Sequence, residues 1–340
     1  MPTTNADTAI RKLSRFWGLL AALWITGCAS HPRPGQPLSR TGDEIMAAGQ
    51  LFHTGTPVVL WTDPGGYDGY RVERRFAPYD RSSWDQSRLE QPSLATPNRY
   101  GLRRDGLSTN QLEHLRGGGW SLPELQGVVD QFVLHYDACG SSRRCFEVLH
   151  DQRGLSVHFM LDVDGTIYQT LDLKERAWHA TSSNSRAVGI EIAAIGAVPL
   201  AQRRTLESWY VPDGDGMRLV FPEWAGNPEL HTPNFVGHPA RPEPVTGRIQ
   251  DEELIQYDFT PQQYQALARL TATLCRVFPK LPCDYPREPD GSVVTRALPE
   301  TTLAHYQGIL GHYHVQTNKV DPGPAFQWER VVNEARTFLK

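Results

Sequence analysis

The sequence predicts an α/β or α+β fold, in which a mixed central β-sheet is flanked by helices. Runs of β-branched and aromatic residues at 131–136, 157–169 and 188–193 have the pattern of short buried strands. A longer segment at 260–278 repeats apolar residues at the spacing of an amphipathic helix. Strands and a helix in one stretch of chain predict a sheet whose faces are covered by helices.

The three strand segments differ in pattern. The first, 131–136, is apolar except near its end, as expected of a buried strand that delivers a side chain to the sheet edge. Residues 157–169 alternate apolar and polar side chains around Asp164-Gly165, a dipeptide that favours a tight turn, and therefore predict a β-hairpin. The third segment, 188–193, is apolar apart from one glutamate.

The helix predicted at 260–278 begins at Thr260 as its N-cap, and Gln263 completes a capping box. Its apolar residues are Tyr264, Leu267, Leu270, Leu274 and Val277. Residues 197–256, which are rich in Pro, Gly and Trp, separate this helix from the third strand. We interpret them as an insertion, and loops of this kind often wall a substrate groove.

The N-terminus has the features of an export signal. Basic residues between positions 11 and 15 precede the apolar run 16–25, which is shorter than the ~20 residues that a membrane span needs. The run leads into Ile25-Thr26-Gly27-Cys28, which resembles the bacterial lipobox. Residues 1–27 are therefore predicted to be a lipoprotein signal peptide, and Cys28 the lipid-bearing first residue of the mature chain. The alternative is a plain signal peptide followed by a chance cysteine.

The residues after the signal predict where the mature chain lies and how it is organised. Ala29 occupies the position at which lipoproteins retained in the inner membrane carry aspartate, so we expect the periplasmic face of the outer membrane. Residues 28–45 contain several prolines and are expected to form a tether. Residues 46–125, with a strand-like segment at 57–61, are expected to be an N-terminal extension packed on a main domain at 126–340.

Charge and hydropathy limit the possible partners. The formal net charge of the 340 residues is −4, and no long basic run occurs. Nucleic-acid binding needs clustered positive charge that neutralises phosphates, so nucleic acid is excluded as a partner. After the signal peptide no segment has the length and apolar character of a transmembrane span. We therefore expect membrane contact through the lipid anchor alone, and a monomer.

Four cysteines remain after Cys28, and an even number in an oxidising compartment favours two disulfides. Cys139 with Cys145 and Cys275 with Cys283 are the favoured pairs of the three possible pairings, because each couple is close in sequence. A zinc site made of cysteines is the rival interpretation, but the spacings are not of the CxxC type.

Four separated features predict metal-dependent hydrolysis. They are His135 at a strand end, Glu191 within a strand, His312 after a glycine, and a lysine two residues before Asp321. Two imidazoles and one carboxylate are a known ligand set for catalytic zinc, because three protein ligands leave a fourth position for water. A carboxylate that is not a ligand is then needed to move protons, and Glu191 is the candidate.

The same residues lie in motifs that resemble the type 2 N-acetylmuramoyl-L-alanine amidases, the superfamily that includes the peptidoglycan-recognition proteins. The matching motifs are Phe132-Val133-Leu134-His135, the segment from Ser156 to Thr166, Ala177-Trp178-His179-Ala180, Val188-Gly189-Ile190-Glu191-Ile192, and Gly311-His312 followed by the segment from Lys319 to Phe326. Their order and spacing, more than any single motif, carry the resemblance, which extends over most of residues 126–340. The small loop between Cys139 and Cys145 also resembles a disulfide loop of the recognition proteins.

The resemblance implies an enzyme that cuts the amide bond between N-acetylmuramic acid and L-alanine in peptidoglycan. It implies one zinc ion per chain, bound by His135, His312 and Asp321. It also implies that Glu191 is the general base and later the acid, and that Lys319 stabilises the oxyanion. The partner is then peptidoglycan or a muropeptide. Trp178 and His179 are predicted either to contact this substrate or to pack beneath the site.

Some alternatives stay open. His314 lies two positions after His312, so either histidine could be the ligand, and Gly311 favours the first. His158 is predicted to be a core histidine that has hydrogen-bond partners. A zinc peptidase acting on the stem peptide, and a protein that binds peptidoglycan without cutting it, are the alternative functions.

Overall fold

The computed structural model describes residues 33–340 of the chain. The predicted signal peptide 1–27, the lipidation site Cys28 and the first residues of the tether lie outside the described residues. Residues 40–340 form one compact unit. Within 33–340, no helix combines the length and the apolar character that crossing a bilayer requires.

The described chain contains 15 strands and 8 α-helices, joined by short 3-10 and π-helical turns. The strands are β1 (Glu44–Ala47), β2 (Gln50–His53), β3 (Val58–Leu60), β4 (Tyr100–Leu102), β5 (Gln131–Tyr136), β6 (Phe159–Leu161), β7 (Ile167–Gln169), β8 (Glu175–Ala177), β9 (Ala187–Ile192), β10 (Val198–Pro199), β11 (Tyr210–Asp213), β12 (Gly216–Leu219), β13 (Val245–Ile249), β14 (Glu252–Gln256) and β15 (Gly308–Gly311). The helices are α1 (Trp84–Glu90), α2 (Thr109–Gly118), α3 (Leu122–Gln126), α4 (Ser142–Phe146), α5 (Pro261–Val277), α6 (Glu300–His305), α7 (His312–Val315) and α8 (Trp328–Leu339).

A six-stranded mixed sheet forms the centre, in the order β15-β5-β9-β6-β7-β3. The first four strands are parallel, β7 runs antiparallel to β6, and β3 runs parallel to β7. The predicted fold class is confirmed. The strand predicted at 131–136 coincides with β5, the one at 188–193 is β9 shifted by one residue, and 157–169 contains the hairpin β6–β7.

The strand side chains alternate between two faces of the sheet. Phe132 and Leu134 of β5 lie with Ile190 of β9 in the main hydrophobic core, into which α5 and α8 pack. Val133 of β5 lies in a different cluster on the opposite face. Successive residues of a strand point to opposite faces, so His135 lies on the face away from α5 and α8.

Helix α5 starts as the sequence predicts. The backbone N–H of Gln263 donates to the Thr260 hydroxyl (3.1 Å), and the backbone N–H of Thr260 donates to the Gln263 side chain (2.9 Å). This reciprocal cap satisfies two N–H groups that have no partner inside the helix. It fixes the start of the helix that covers the main core.

The N-terminal extension contributes to the sheet instead of merely packing on it. Its strand β3, predicted at 57–61, pairs with β7 at the sheet edge, and β4 pairs with β8. Arg103, which follows β4, is fully buried. Its guanidinium donates to the carbonyls of Leu173, Ser185 and Ala187 at 2.9–3.1 Å. The extension thus holds the segment that leads into β9.

The insertion 197–256 has secondary structure of its own. Strands β10, β14 and β13 form a three-stranded sheet, and β11 with β12 forms a hairpin. Sequence analysis did not predict these strands because β13 and β14 are short and mix charged with apolar residues, so neither shows a clear period-2 pattern.

The prediction of two disulfides is wrong for this structure, because all four cysteines are free thiols. They are Cys139, Cys145, Cys275 and Cys283. Cys275 and Cys283 lie side by side and share a hydrogen bond that, together with burial, raises the pKa of the Cys275 thiol. Cys139 and Cys145 belong to one hydrophobic cluster. The members of each predicted pair are thus close together, but all four cysteines are thiols.

Candidate metal centre

The sheet brings the three predicted ligands together. His135 ends the buried part of β5, and β15 runs parallel beside that strand with Gly311 opposite Leu134. The next residue of that chain segment is His312, so its imidazole lies beside that of His135. The chain then folds back so that Asp321 lies beside the two imidazoles, and its backbone carbonyl accepts a hydrogen bond from the Tyr313 N–H (3.2 Å).

The three ligand atoms form a small triangle. The Nδ1 atoms of His135 and His312 are 2.9 Å apart, and each lies 3.0 Å from Oδ2 of Asp321. All three side chains are buried. Tetrahedral zinc holds its ligand atoms about 2.0–2.1 Å from the ion, which puts them about 3.3 Å from one another. The donor set and its spacing therefore fit one zinc ion after a small outward movement.

Hydrogen bonds at the far side of each imidazole leave Nδ1 available as a ligand. Nε2 of His312 lies 2.8 Å from Oε1 of Gln316, an oxygen that can only accept, so Nε2 carries the proton. Nε2 of His135 lies 3.0 Å from Nδ1 of His179. Metal-binding histidines commonly donate their other ring N–H in this way, which fixes the tautomer and the ring orientation.

The electrostatics of the triangle suit a cation. Burial and the adjacent His312 lower the pKa of His135 to about 4, so this imidazole is neutral at pH 7. Burial raises the pKa of Asp321, but the adjacent His312 and His135 have the larger, opposite effect. The pKa of this carboxyl is therefore well below its usual range. Neutral imidazole and ionised carboxylate are the forms that bind metal.

Glu191 lies next to this triangle. It is the residue opposite His135 in the pairing of β5 with β9. Burial raises the pKa of its carboxyl well above the usual range, and Asp321 and Asp137 add to the effect, whereas Lys319 opposes it. A raised pKa makes a carboxyl a better proton acceptor than an ordinary glutamate, as a general base must be.

The predicted site residues line one cavity of about 560 Å³. They are His135, Trp178, His179, Glu191, His312, Lys319 and Asp321. Trp178 is half-buried in its wall. His179 supports His135, and its ring packs so closely on Gly189 that a Cβ there would lie 2.5 Å from the ring.

Two lining residues were missed by sequence reasoning. Gln316, the partner of His312, lies four residues after it, and this helical spacing is a signal that could have found it. Arg153, an exposed cation at the cavity, lowers the pKa of Glu191. It belongs to no motif, so the sequence offers no signal for it.

The two uncertain histidines are structural. His314 is fully buried; its Nδ1 accepts the Gly311 N–H (2.9 Å) and its Nε2 donates to the Val294 carbonyl (2.7 Å). Both nitrogens are occupied, so His312 is the residue that joins the triangle. His158 is buried as predicted, accepting the Gly189 N–H at 3.1 Å.

Comparison with solved structures returns several amidases at low similarity. An AmpD derivative is 16% identical, with 69% of this chain and 89% of that chain covered and a TM-score of 0.32. AmiD from E. coli is 17% identical, with coverages of 61% and 57% and a TM-score of 0.33. The endolysin amidase LysCS from Clostridium intestinale is 17% identical, with coverages of 64% and 88% and a TM-score of 0.32. No curated protein sequence matches the chain significantly.

The family assignment rests on the sequence match to a family model. The model of the N-acetylmuramoyl-L-alanine amidase family matches residues 125–324, which is more than half of the 340 residues. The matched range contains the whole ligand triangle and Glu191. This chain is a member of the N-acetylmuramoyl-L-alanine amidase family.

Proposed function

We propose that the chain hydrolyses the amide bond between N-acetylmuramic acid and L-alanine in peptidoglycan, with one zinc ion bound by His135, His312 and Asp321. The observation that carries the proposal is the triangle of three ligand atoms at 2.9–3.0 Å beside the carboxyl of Glu191, in a chain of the amidase family. Zinc bound there supplies a Lewis acid that activates water and polarises an amide carbonyl near neutral pH.

Glu191 is the proton carrier in this proposal. Its position opposite His135 puts its carboxyl beside the triangle, and its raised pKa matches the acid and base roles. The carboxylate takes the proton of the attacking water and then delivers it to the amide nitrogen of L-alanine as the C–N bond breaks. Such proton transfer commonly contributes ~10²–10⁴-fold in rate.

Lys319 supplies positive charge to the oxyanion. In sequence it lies between His312 and Asp321, and its side chain lines the cavity. It is close enough to lower the pKa values of Glu191 and His135. A fixed charge near the scissile carbonyl stabilises the negative charge that develops on its oxygen, commonly by ~3 kcal/mol per donor. Contact of Trp178 with the sugar or peptide is part of the same proposal.

Product analysis distinguishes this function from the alternatives. Purified peptidoglycan is incubated with wild-type protein and with Glu191→Gln, and the fragments are identified by mass spectrometry. Free stem peptides beginning with L-alanine, from wild type only, support the amidase. Clipped stem peptides would indicate a peptidase, and intact peptidoglycan in the presence of zinc would indicate a binding protein.

We also propose that the chain is exported and held at the outer membrane by a lipid on Cys28. The signal-like residues 1–27 and the lipobox-like sequence before Cys28 support this. Cys28→Ala should move the protein from the membrane fraction to the soluble periplasm.

A further inference from the structure

The insertion contacts the loop that carries the last two metal ligands. At the turn of the β13–β14 hairpin, the Gln250 side-chain amide donates to the carbonyls of Tyr313 (3.0 Å) and Gln316 (3.1 Å). The Gln250 side-chain oxygen accepts the backbone N–H of Ala297 (3.2 Å). The side chain of Gln250 therefore links the insertion to the turn after His312 and to the backbone at Ala297.

A second glutamine holds the other end of the same loop. The side-chain amide of Gln256, the last residue of β14, donates to the Pro322 carbonyl (3.1 Å), and its oxygen accepts the Ala325 N–H (3.0 Å). Gln256 is fully buried. Gly323, at φ +87°, leaves room for it, since a Cβ at 323 would lie 2.1 Å from the Gln256 oxygen.

Both contacts lead directly to metal ligands. Gln316 accepts from Gln250 through its backbone and from Nε2 of His312 through its side chain. Pro322, which accepts from Gln256, follows Asp321 in the chain. The two glutamines thus fix the residues that orient His312 and Asp321, whereas His135 is fixed independently in β5.

An amide side chain suits this task for a physical reason. The segment 312–325 contains only the four-residue helix α7, so most of its carbonyls and N–H groups need partners from elsewhere. An amide supplies donors and an acceptor and carries no charge. It can therefore satisfy the loop without altering the charge balance of the neighbouring cation site.

We propose that the β13–β14 hairpin of the insertion sets the affinity of the metal centre, with Gln250 and Gln256 as positioning residues for the 312–325 segment. The proposal rests on the proposed function only in that it takes His135, His312 and Asp321 to bind zinc. It gives the insertion a role other than walling the groove, because none of the described residues that line the cavity belongs to 197–256.

The test measures metal binding rather than turnover. Wild type, Gln250→Leu, Gln256→Leu and the control Thr246→Ala, an exposed residue of the same hairpin, are titrated with zinc against a chelating dye. Each protein is then loaded with cobalt, and its visible absorption spectrum is recorded. Loss of a partner that orients a ligand typically weakens metal binding 10- to 100-fold. We expect about 10-fold weaker binding and altered cobalt bands for each glutamine variant, and no change for Thr246→Ala.

Thermal unfolding with and without zinc separates positioning from general stability. If the glutamines are purely structural, their substitution lowers the melting temperature equally with and without zinc. If they position the ligands, their substitution also reduces the rise in melting temperature that zinc produces. Gln250→Glu, which keeps the oxygen facing Ala297 and loses the donors, repeats the test if Gln250→Leu does not fold. Zinc affinities and cobalt spectra equal to wild type in the glutamine variants would overturn the inference alone. A wild-type protein that binds no zinc would overturn the proposed function as well.

Discussion

His135 and Glu191 occupy opposed positions in the neighbouring parallel strands β5 and β9. Opposed residues of adjacent strands point to the same face of a sheet, so the first ligand of the proposed zinc site and the proposed proton carrier share one face. Backbone pairing, rather than a side-chain contact, fixes their relative position. The position of Glu191 is therefore set by the strand that carries it.

Gly189 lies two residues before Glu191 and faces the same side, where the His179 ring covers it. A Cβ at this position would approach the ring to 2.5–2.7 Å. Gly189→Ala is expected to push His179 away from Nε2 of His135 and to weaken zinc binding about 10-fold. Zinc titration against a chelating dye measures the change.

Gly216→Ala is the matched control, because its nearest neighbour would be a proline carbon at an ordinary 3.7 Å. It should bind zinc like wild type. Equal zinc affinities for the two alanine variants would show that His179 does not support the ligand.

His312 and His314 should respond differently to substitution. His312→Ala removes a corner of the triangle and should abolish stoichiometric zinc binding. His314→Ala leaves the Gly311 N–H and the Val294 carbonyl buried without a partner, which costs about 1–3 kcal/mol for each group. We expect it to lower the free energy of unfolding but to keep one zinc per chain at low temperature. Metal analysis combined with urea unfolding measures both quantities, and zinc loss confined to His314→Ala would reverse the assignment.

Arg103 should contribute strongly to stability. Its guanidinium donates to three carbonyls within 3.1 Å in a fully buried position. Arg103→Met removes these donors, and we expect a loss of at least about 3 kcal/mol in urea unfolding. Arg103→Lys keeps the charge but has fewer donors in a different geometry, so its free energy of unfolding should lie between those of Arg103→Met and wild type. Full stability of Arg103→Met would contradict this role of the extension.

Glu44 should make stability depend on pH in the acid range. Burial raises the pKa of this carboxyl, but hydrogen bonds from Thr41 and Gly42 outweigh it and lower the pKa to about 2 from 4.5. A lowered folded-state pKa contributes stability above pH 4.5 that is lost as pH falls toward 2. Glu44→Gln should therefore cost about 2 kcal/mol at pH 7, and the difference from wild type should shrink in denaturation curves at pH 4 and pH 3. A difference independent of pH would contradict the assignment.

The sequence predicts the parts of the site that carry local patterns. Strand β5, strand β9 and the α5 cap follow from periodicity and capping residues, and His135, His312 and Asp321 follow from family motifs. Gly311 favours His312 over His314 in the sequence, and the structure agrees, because His312 lies beside His135 whereas both ring nitrogens of His314 have other partners.

Other features depend on contacts between distant residues. Gln250 and Gln256 act on a loop about 60 residues away, and Arg103 donates to carbonyls about 70–84 residues away. A hydrogen bond between a side chain and a distant backbone carbonyl leaves no periodic or motif signal. The contacts of the insertion with the 312–325 segment, and of the extension with the segment before β9, therefore become visible only in three dimensions.

Zinc content measured together with turnover tests the central claim most directly. The three proteins compared are wild type, His135→Ala and Glu191→Gln, each purified, exchanged into metal-free buffer and analysed for bound zinc and for release of stem peptides. The account predicts one zinc per wild-type chain and none for His135→Ala. Glu191→Gln should retain one zinc while its turnover falls by about 10²–10⁴-fold. Full zinc content in His135→Ala, or undiminished turnover in Glu191→Gln, would contradict it.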